Sequence, residues 1–378
     1  MIADAPMKHL TLSLVILVAS LVAAACSSEP DPTSYAEMLR FVPDEADRRS
    51  VVVVVDYAAL RALPLPEGTE GELTALEEIA IKAEQHLGIA TLAPLGTYEA
   101  SAFPEIAANW ERYLGLAIED IDQSLDAGQP GTRVGVAIGR FDRNAMVALL
   151  EQCTECVSPD VIEHAGVAYF DWGEGLGGDR RLEPPVFDHL GRGGQFQIDD
   201  VYILRTLTAA AMTASLDARA NDASVIERDD FRGLADALDG LEAHEDIEIL
   251  SATFSDLHLG PDIVSGLAAS GFAPASVKTA LTQELLRPYS AYAVGIGRRD
   301  AESVALIVLA HDSEADAAEN ERRLDNRLAT TTNIQNQPWS EVFSGWEIER
   351  DGTVIIATLE GGIHGASPYI PEPLLFHE

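Results

Sequence analysis

Two stretches of this chain run through one order of elements, and an internal repeat limits a chain to architectures built by joining copies of a unit. In the first, Val134 to Gly139 is a strand, and Asp142 stands where it can cap a helix over Arg143 to Gln152. Val161 to His164 and Val167 to Phe170 then flank Ala165-Gly166 as a hairpin. In the second, Val304 to Leu309 is a strand, and Ser313-x-x-Asp316 opens a helix reaching about Leu328. Trp346 to Glu349 and Val354 to Ala357 flank Asp351-Gly352, a favoured two-residue turn. Both stretches read β-α-β-β. The pattern implies an α+β protein of two similar halves, with antiparallel sheets and helices packed on one face. The continuous β-branched run Ser50 to Val55 reads as a strand buried on both sides. Thr69-x-x-Glu72 and Ser224-x-x-Glu227 read as helix starts, the first leading to a helix that ends near His86.

The beginning of the chain constrains location. Lys8 and His9 precede Leu10 to Val22, an apolar run without charge, and Ala23-Ala24-Ala25 lead into Cys26. A positive start, a short apolar core and small residues describe a secretory signal peptide. The segment resembles a bacterial lipoprotein signal, and the resemblance implies that Cys26 becomes the lipidated first residue of the mature protein. Ser27 to Thr33, with two prolines, reads as a polar tether. The expected organisation is therefore signal peptide 1–25, lipidated cysteine and tether 26–49, first half 50–245, second half 246–365 and a Pro-containing tail 366–378. The expected location is the cell envelope, anchored to a membrane and facing outside the cytoplasm.

The 378 residues carry a formal charge of −37, and the lysines are Lys8, Lys82 and Lys278. Such a balance opposes nucleic acid and anionic lipid surfaces, which need positive patches. Three cysteines are present. With Cys26 taken by lipid, Cys153 and Cys156 form one C-x-x-C pair in an oxidising compartment. The pair follows an apolar helical stretch and so sits at a helix C-terminus, where the dipole opposes a thiolate. A structural disulfide closing a short loop, contributing about 2 kcal/mol, is the expected role.

Other constellations point to no chemistry. Gly173 to Gly178 is glycine-rich but runs into Pro184-Pro185, not into the helix that a phosphate loop requires. Asp120, Asp122, Ser124 and Asp126 alternate like part of a calcium loop, yet Leu125 stands where the loop needs glycine, so a solvated helix face is expected. His311-Asp312 is a candidate catalytic or metal pair, with Asp312 more simply part of a helix start. Trp339, Phe343 and Trp346 read as packing rather than a sugar platform. No G-x-S-x-G, S-x-x-K or H-E-x-x-H occurs. No metal and no cofactor are expected.

Phe41-Val42-Pro43, Leu114-Gly115-Leu116, Glu119-Asp120-Ile121, Asp200 to Ile203 and Phe231-Arg232-Gly233-Leu234 together resemble a family of duplicated α+β bacterial envelope proteins that carry a domain of unknown function. The resemblance implies the duplicated fold and transfers no catalytic residue. The functional expectation is a lipid-anchored envelope protein that binds or scaffolds and is not an enzyme. The alternatives are a thiol-disulfide protein using Cys153 and Cys156, and a solute-binding lipoprotein with a cleft between its halves.

Overall fold

In a computed structural model, the described residues are 34–69, 73–87, 94–95, 103–129, 131–153, 157–175, 192–257, 259–260, 285–300, 302–333, 337–361 and 372–378. Residues 1–33, on which the expected signal and Cys26 fall, lie outside them, as do Cys156 and most of the glycine-rich loop. Of the tether expected over 26–49, residues 34–49 are described and belong to the folded body, with Met38, Leu39 and Val42 buried. The chain from Ser34 to Glu378 forms one compact unit.

Among the described residues, twelve strands make one sheet: β1 Val52–Asp56, β2 Ile121–Ala127, β3 Val134–Gly139, β4 Asp160–His164, β5 Val167–Asp171, β6 Gln195–Ile198, β7 Tyr202–Thr206, β8 Ile247–Ser255, β9 Ala291–Arg299, β10 Glu302–Ala310, β11 Gly345–Asp351 and β12 Val354–Glu360. Their order across the sheet is β11-β12-β10-β9-β8-β1-β2-β3-β7-β6-β5-β4. Neighbours pair antiparallel. The class is α+β.

At the centre, β1 and β8 pair antiparallel, Val52 opposite Phe254 and Val55 opposite Ser251. Reading outward from that seam gives β1-β2-β3-β7-β6 on one side and β8-β9-β10-β12-β11 on the other. The two series have the same order of neighbours, strand for strand. The duplication expected from sequence is thus present, but with a different partner for the second repeat's hairpin. The counterpart of β11–β12 is β6–β7, whose β7 lies against β3. The β4–β5 hairpin, which has the expected order in the chain, is an addition at the sheet's outer end. Order along a chain does not specify which strand closes on which.

Helices lie on both faces, not on one. The first face carries α4 (Ala75–Leu87), α5 (Phe103–Leu114), α6 (Arg143–Gln152) and α9 (Glu314–Thr330). Trp110, Met146, Leu150, Leu324, Leu328 and Trp339 join one core there. The second face carries α1 (Tyr35–Leu39), α7 (Ala209–Ala220) and α8 (Asp229–His244), with Met38, Leu216, Phe231 and Leu238 in a second core. Burial on both sides explains the valine run. Val52 and Val54 enter the second core, and Val55, with Val53 beside it, enters the first. The short helices α2 (Ala46–Arg49), α3 (Tyr57–Ala62), α10 (Trp339–Val342) and α11 (Glu372–Leu375) complete the set.

Helix starts follow local hydrogen bonding. Asp142 caps α6 through Ala145 N at 2.9 Å, and Ser313 caps α9 through Asp316 N at 3.2 Å. Two expected starts are displaced. The box that opens α4 is Thr74-x-x-Glu77, with Thr74 N on Glu77 Oε2 at 2.8 Å and Glu77 N on Thr74 Oγ1 at 3.3 Å. Thr69 instead turns back on Pro66 O, and Glu72 lies outside the described residues. Ser224 opens a 3-10 turn over Val225–Glu227, and α8 begins only at Asp229. The turn joining β11 and β12 is Gly352-Thr353, one residue later than expected, with Gly352 at φ +56°.

The tail is not an appendage. Leu374, Leu375 and Phe376 are buried in the first core. Leu286 N donates to Phe376 O at 3.1 Å and Glu378 N to Leu286 O at 2.9 Å, while Tyr289 Oη donates to Leu375 O at 2.7 Å. On α9, Arg327 Nη1 reaches Phe376 O at 3.4 Å and Arg323 Nη1 reaches Glu378 at 2.6 Å. Burial pushes the Arg327 guanidinium down to about 10.

Candidate functional site

His311 directly follows β10, at the turn into α9, and is buried. Its Nδ1 lies 3.0 Å from Thr353 O, and a carbonyl can only accept, so Nδ1 carries the proton. Nε2 then accepts from Asn320 Nδ2 at 2.8 Å. Asn320 on α9 is fixed in turn by Arg287, taking its N–H at 2.6 Å and donating to its carbonyl at 2.9 Å. Burial, outweighing the hydrogen bond to Thr353 and the nearby Asp316 and Asp312, holds the imidazole below its ordinary range. His311 is a neutral strut that ties the β11–β12 turn to α9. Both ring nitrogens are engaged, and Asp312 makes no pair with the ring among the described contacts.

Beside it opens a cleft of about 610 Å³ between the start of α8 and the ends of β10 and β12. Arg228, Asp229 and Asp230 line one wall, and Ser290, Asp312 and Thr353 line the other. Arg228 grips Asp230 in a fork, Nε to Oδ1 at 2.9 Å and Nη2 to Oδ2 at 2.6 Å, and that pairing raises the guanidinium's pKa. With Glu227, four carboxylates face one arginine around the cleft. Its walls are more polar than those of most small-molecule sites, which are lined mainly by apolar and aromatic groups.

The structure does not gather the acids Asp120, Asp122 and Asp126 into a metal loop, and it does not place them on a helix. They fall on a 3-10 turn and on β2, where alternation sends Asp122 and Asp126 to a partly exposed face. Asp122 accepts from Arg61 at 2.7 Å and lies 3.7 Å from Arg140, while Asp126 lies 3.4 Å from Arg133. Asp120 takes the backbone N–H of Ala117. Arginines absorb the charge that a cation would have. No group of three metal-binding side chains occurs among the described residues.

Cys153 caps the C-terminal end of α6, half-buried against the first core. Cys26 and Cys156, and with them the lipidation and disulfide readings, lie outside the described residues. Trp339 stacks on Phe343 with centroids 5.7 Å apart, and both are buried. Trp346 gives its indole N–H to Asp325 at 2.9 Å along a groove between β11 and α9. Sequence reasoning missed the cleft, because Arg228, Ser290 and Thr353 come from separate parts of the chain and share no motif.

Neither a family profile nor a curated protein matches the chain. Its arrangement is similar to solved structures of TP0453. Crystal form III aligns over 92% of this chain and 98% of that one, at 11% identity and a TM-score of 0.36. Crystal form I aligns over 88% and 94%, at 11% identity and a TM-score of 0.36. Among the described residues, no helix is long and apolar enough to cross a membrane.

Proposed function

We propose that the protein is a non-enzymatic envelope lipoprotein, held to a membrane through acyl chains on Cys26, whose α+β body binds or scaffolds outside the cytoplasm. One observation carries the reading. His311, a candidate for catalysis in the sequence, is spent on holding Thr353 and Asn320 and has no ring nitrogen left for a substrate. Acylation fits the leader from Met7 to Cys26, since more than one chain is needed for stable attachment. The acidic surface supports a protein or solute partner over nucleic acid. Cys153 and Cys156 are assigned a structural disulfide, consistent with a helix C-terminus that disfavours a reactive thiolate.

Intact mass of the detergent-extracted native protein tests both covalent assignments. A chain beginning at Cys26 with acyl groups, gaining two hydrogens on reduction, is expected; an unlipidated mass removes the anchor, and free thiols restore the redox alternative. Turnover in an activity screen that His311→Gln abolishes would sink the non-enzymatic reading.

The cleft favours a second reading, binding of a small cationic solute between Arg228–Asp230 and Asp312. Isothermal titration with putrescine is the check. Heat that vanishes in Asp312→Asn supports this reading, and no heat with the native protein dismisses it for that class.

A further inference from the structure

A sheet edge presents a row of unpaired backbone groups, and proteins usually blunt such edges with charge. The two edges of this sheet are treated differently. At β11, Glu347 and Glu349 are exposed, and Arg350 is tied to Glu321 at 3.0 Å. At β4, Asp160 and Glu163 are exposed as well, but so are two adjacent apolar residues, Val161 at 66% and Ile162 at 37% of their full exposure. Among the described residues, no strand pairs with the outer side of β4. The hairpin that supplies this edge is also the part of the sheet without a counterpart in the other half.

The hairpin fixes which backbone groups point outward. His164 and Val167 flank the two-residue turn Ala165-Gly166, with φ +50° and +79°, and so face each other as a hydrogen-bonded pair. Alternation then turns the backbone of His164, Ile162 and Asp160 toward β5, and that of Glu163 and Val161 toward the open side.

We propose that the open edge of β4 pairs antiparallel with β4 of a second copy of this chain, about a two-fold axis through Ile162. In that register Val161 and the second copy's Glu163 exchange both backbone hydrogen bonds, and symmetry repeats the exchange. Ile162 meets its own copy as a non-hydrogen-bonded pair, with Cα atoms about 4.5 Å apart. Asp160 lies opposite the second copy's His164, an imidazole whose Nε2 already donates to a carboxylate, Asp217 Oδ1 at 2.8 Å. Charge selects this register. Centring the axis on Glu163 sets two carboxylates face to face, and centring it on Val161 sets Asp160 against Ile162. An isologous contact of this kind is self-complementary and closed. Each copy carries a charge of −37, so long-range repulsion opposes the contact at low salt and screening strengthens it.

Cross-linking of the full chain in detergent decides the matter. Positions 160, 162 and 164 each receive a cysteine singly, and the native chain with its three cysteines serves as background. Under mild oxidation, I162C is expected to give several-fold more reducible dimer than the native chain, because the axis brings the new thiols within disulfide reach. D160C and H164C each stay at background alone but form a heterodimer when mixed. Dimer yield rises as salt goes from about 0.05 to about 0.5 M. The proposal is overturned if I162C gives no more dimer than the native chain. It is equally overturned if D160C alone cross-links as well as I162C, or if I162C in cells captures a different protein and no copy of itself.

Discussion

At the scale of single residues, the most consequential group is Glu242 on α8. It accepts the backbone N–H of Ile249 at 3.1 Å. Burial, reinforced by Asp56, Asp239 and Glu248, raises its carboxyl to about 7 despite that bond. The folded chain therefore keeps a proton on Glu242 up to about pH 7, whereas an unfolded chain releases it near the ordinary glutamate value of about 4.3. Between those values the folded state binds more protons, so stability falls as pH rises across that window. Glu242→Gln keeps the acceptor and removes the titration. Denaturant unfolding should find it more stable than the native chain at pH 8, by up to roughly 3 kcal/mol, with the gap closing toward pH 4. A second residue prediction concerns Ala165, which holds φ +50° in the β4–β5 turn. Ala165→Asn creates the Asn-Gly pair that this turn prefers and should add about 1 kcal/mol of stability. Residue-scale features were legible in sequence where partners are local. Asp142 and Ser313 cap the helices they promise. The box at Thr69 failed because a second and better one, Thr74-x-x-Glu77, lies five residues on. His311 was legible as a candidate, but its role was not, because Thr353 and Asn320 are distant or unmarked in the sequence.

At the scale of elements, the least foreseeable is the 372–378 segment. Pro-containing and short, it reads as a tail, yet it lies along α9 and places Phe376 in the first core. Its fastening combines apolar burial with the Arg323–Glu378 and Arg287–Glu378 ion pairs at 2.6 and 3.1 Å. These should contribute unequally. Phe376→Ala should cost about 3 kcal/mol in denaturant unfolding, as for other buried aromatics. Glu378→Ala should cost far less, because that carboxylate is largely exposed to screening. A comparable loss in both would make the ion pairs the main fastening. The hairpin exchange has a related origin. β4–β5 and β6–β7 are both hairpins, and what puts β7 beside β3 is the tertiary match of Val136 with Leu204 and Ile138 with Tyr202. Local pattern carries no record of that match.

At the scale of the whole molecule, one sheet crosses the point where the sequence suggests a division between halves. The two halves should unfold together. Variants that keep only Trp110 or only Trp339 as fluorophore, one buried in each half, should give coincident denaturation curves; separate midpoints would make the halves independent. The class and the duplication were readable from periodicity and turn residues. The joining of the halves was not, because the valine run shows that β1 is buried on both faces without showing which strands flank it. That seam also governs how the chain comes into being. Val52 pairs with Phe254, about two hundred residues further on, so during synthesis β1 can form its hairpin with β2 and then must wait. Until β8 emerges, the strand destined for the middle of the sheet is an open edge of valines, and closure over so long a loop is slow. The interval between making β1 and making β8 is when this chain is most exposed to pairing with the wrong strand, and when a holding chaperone would do it most good.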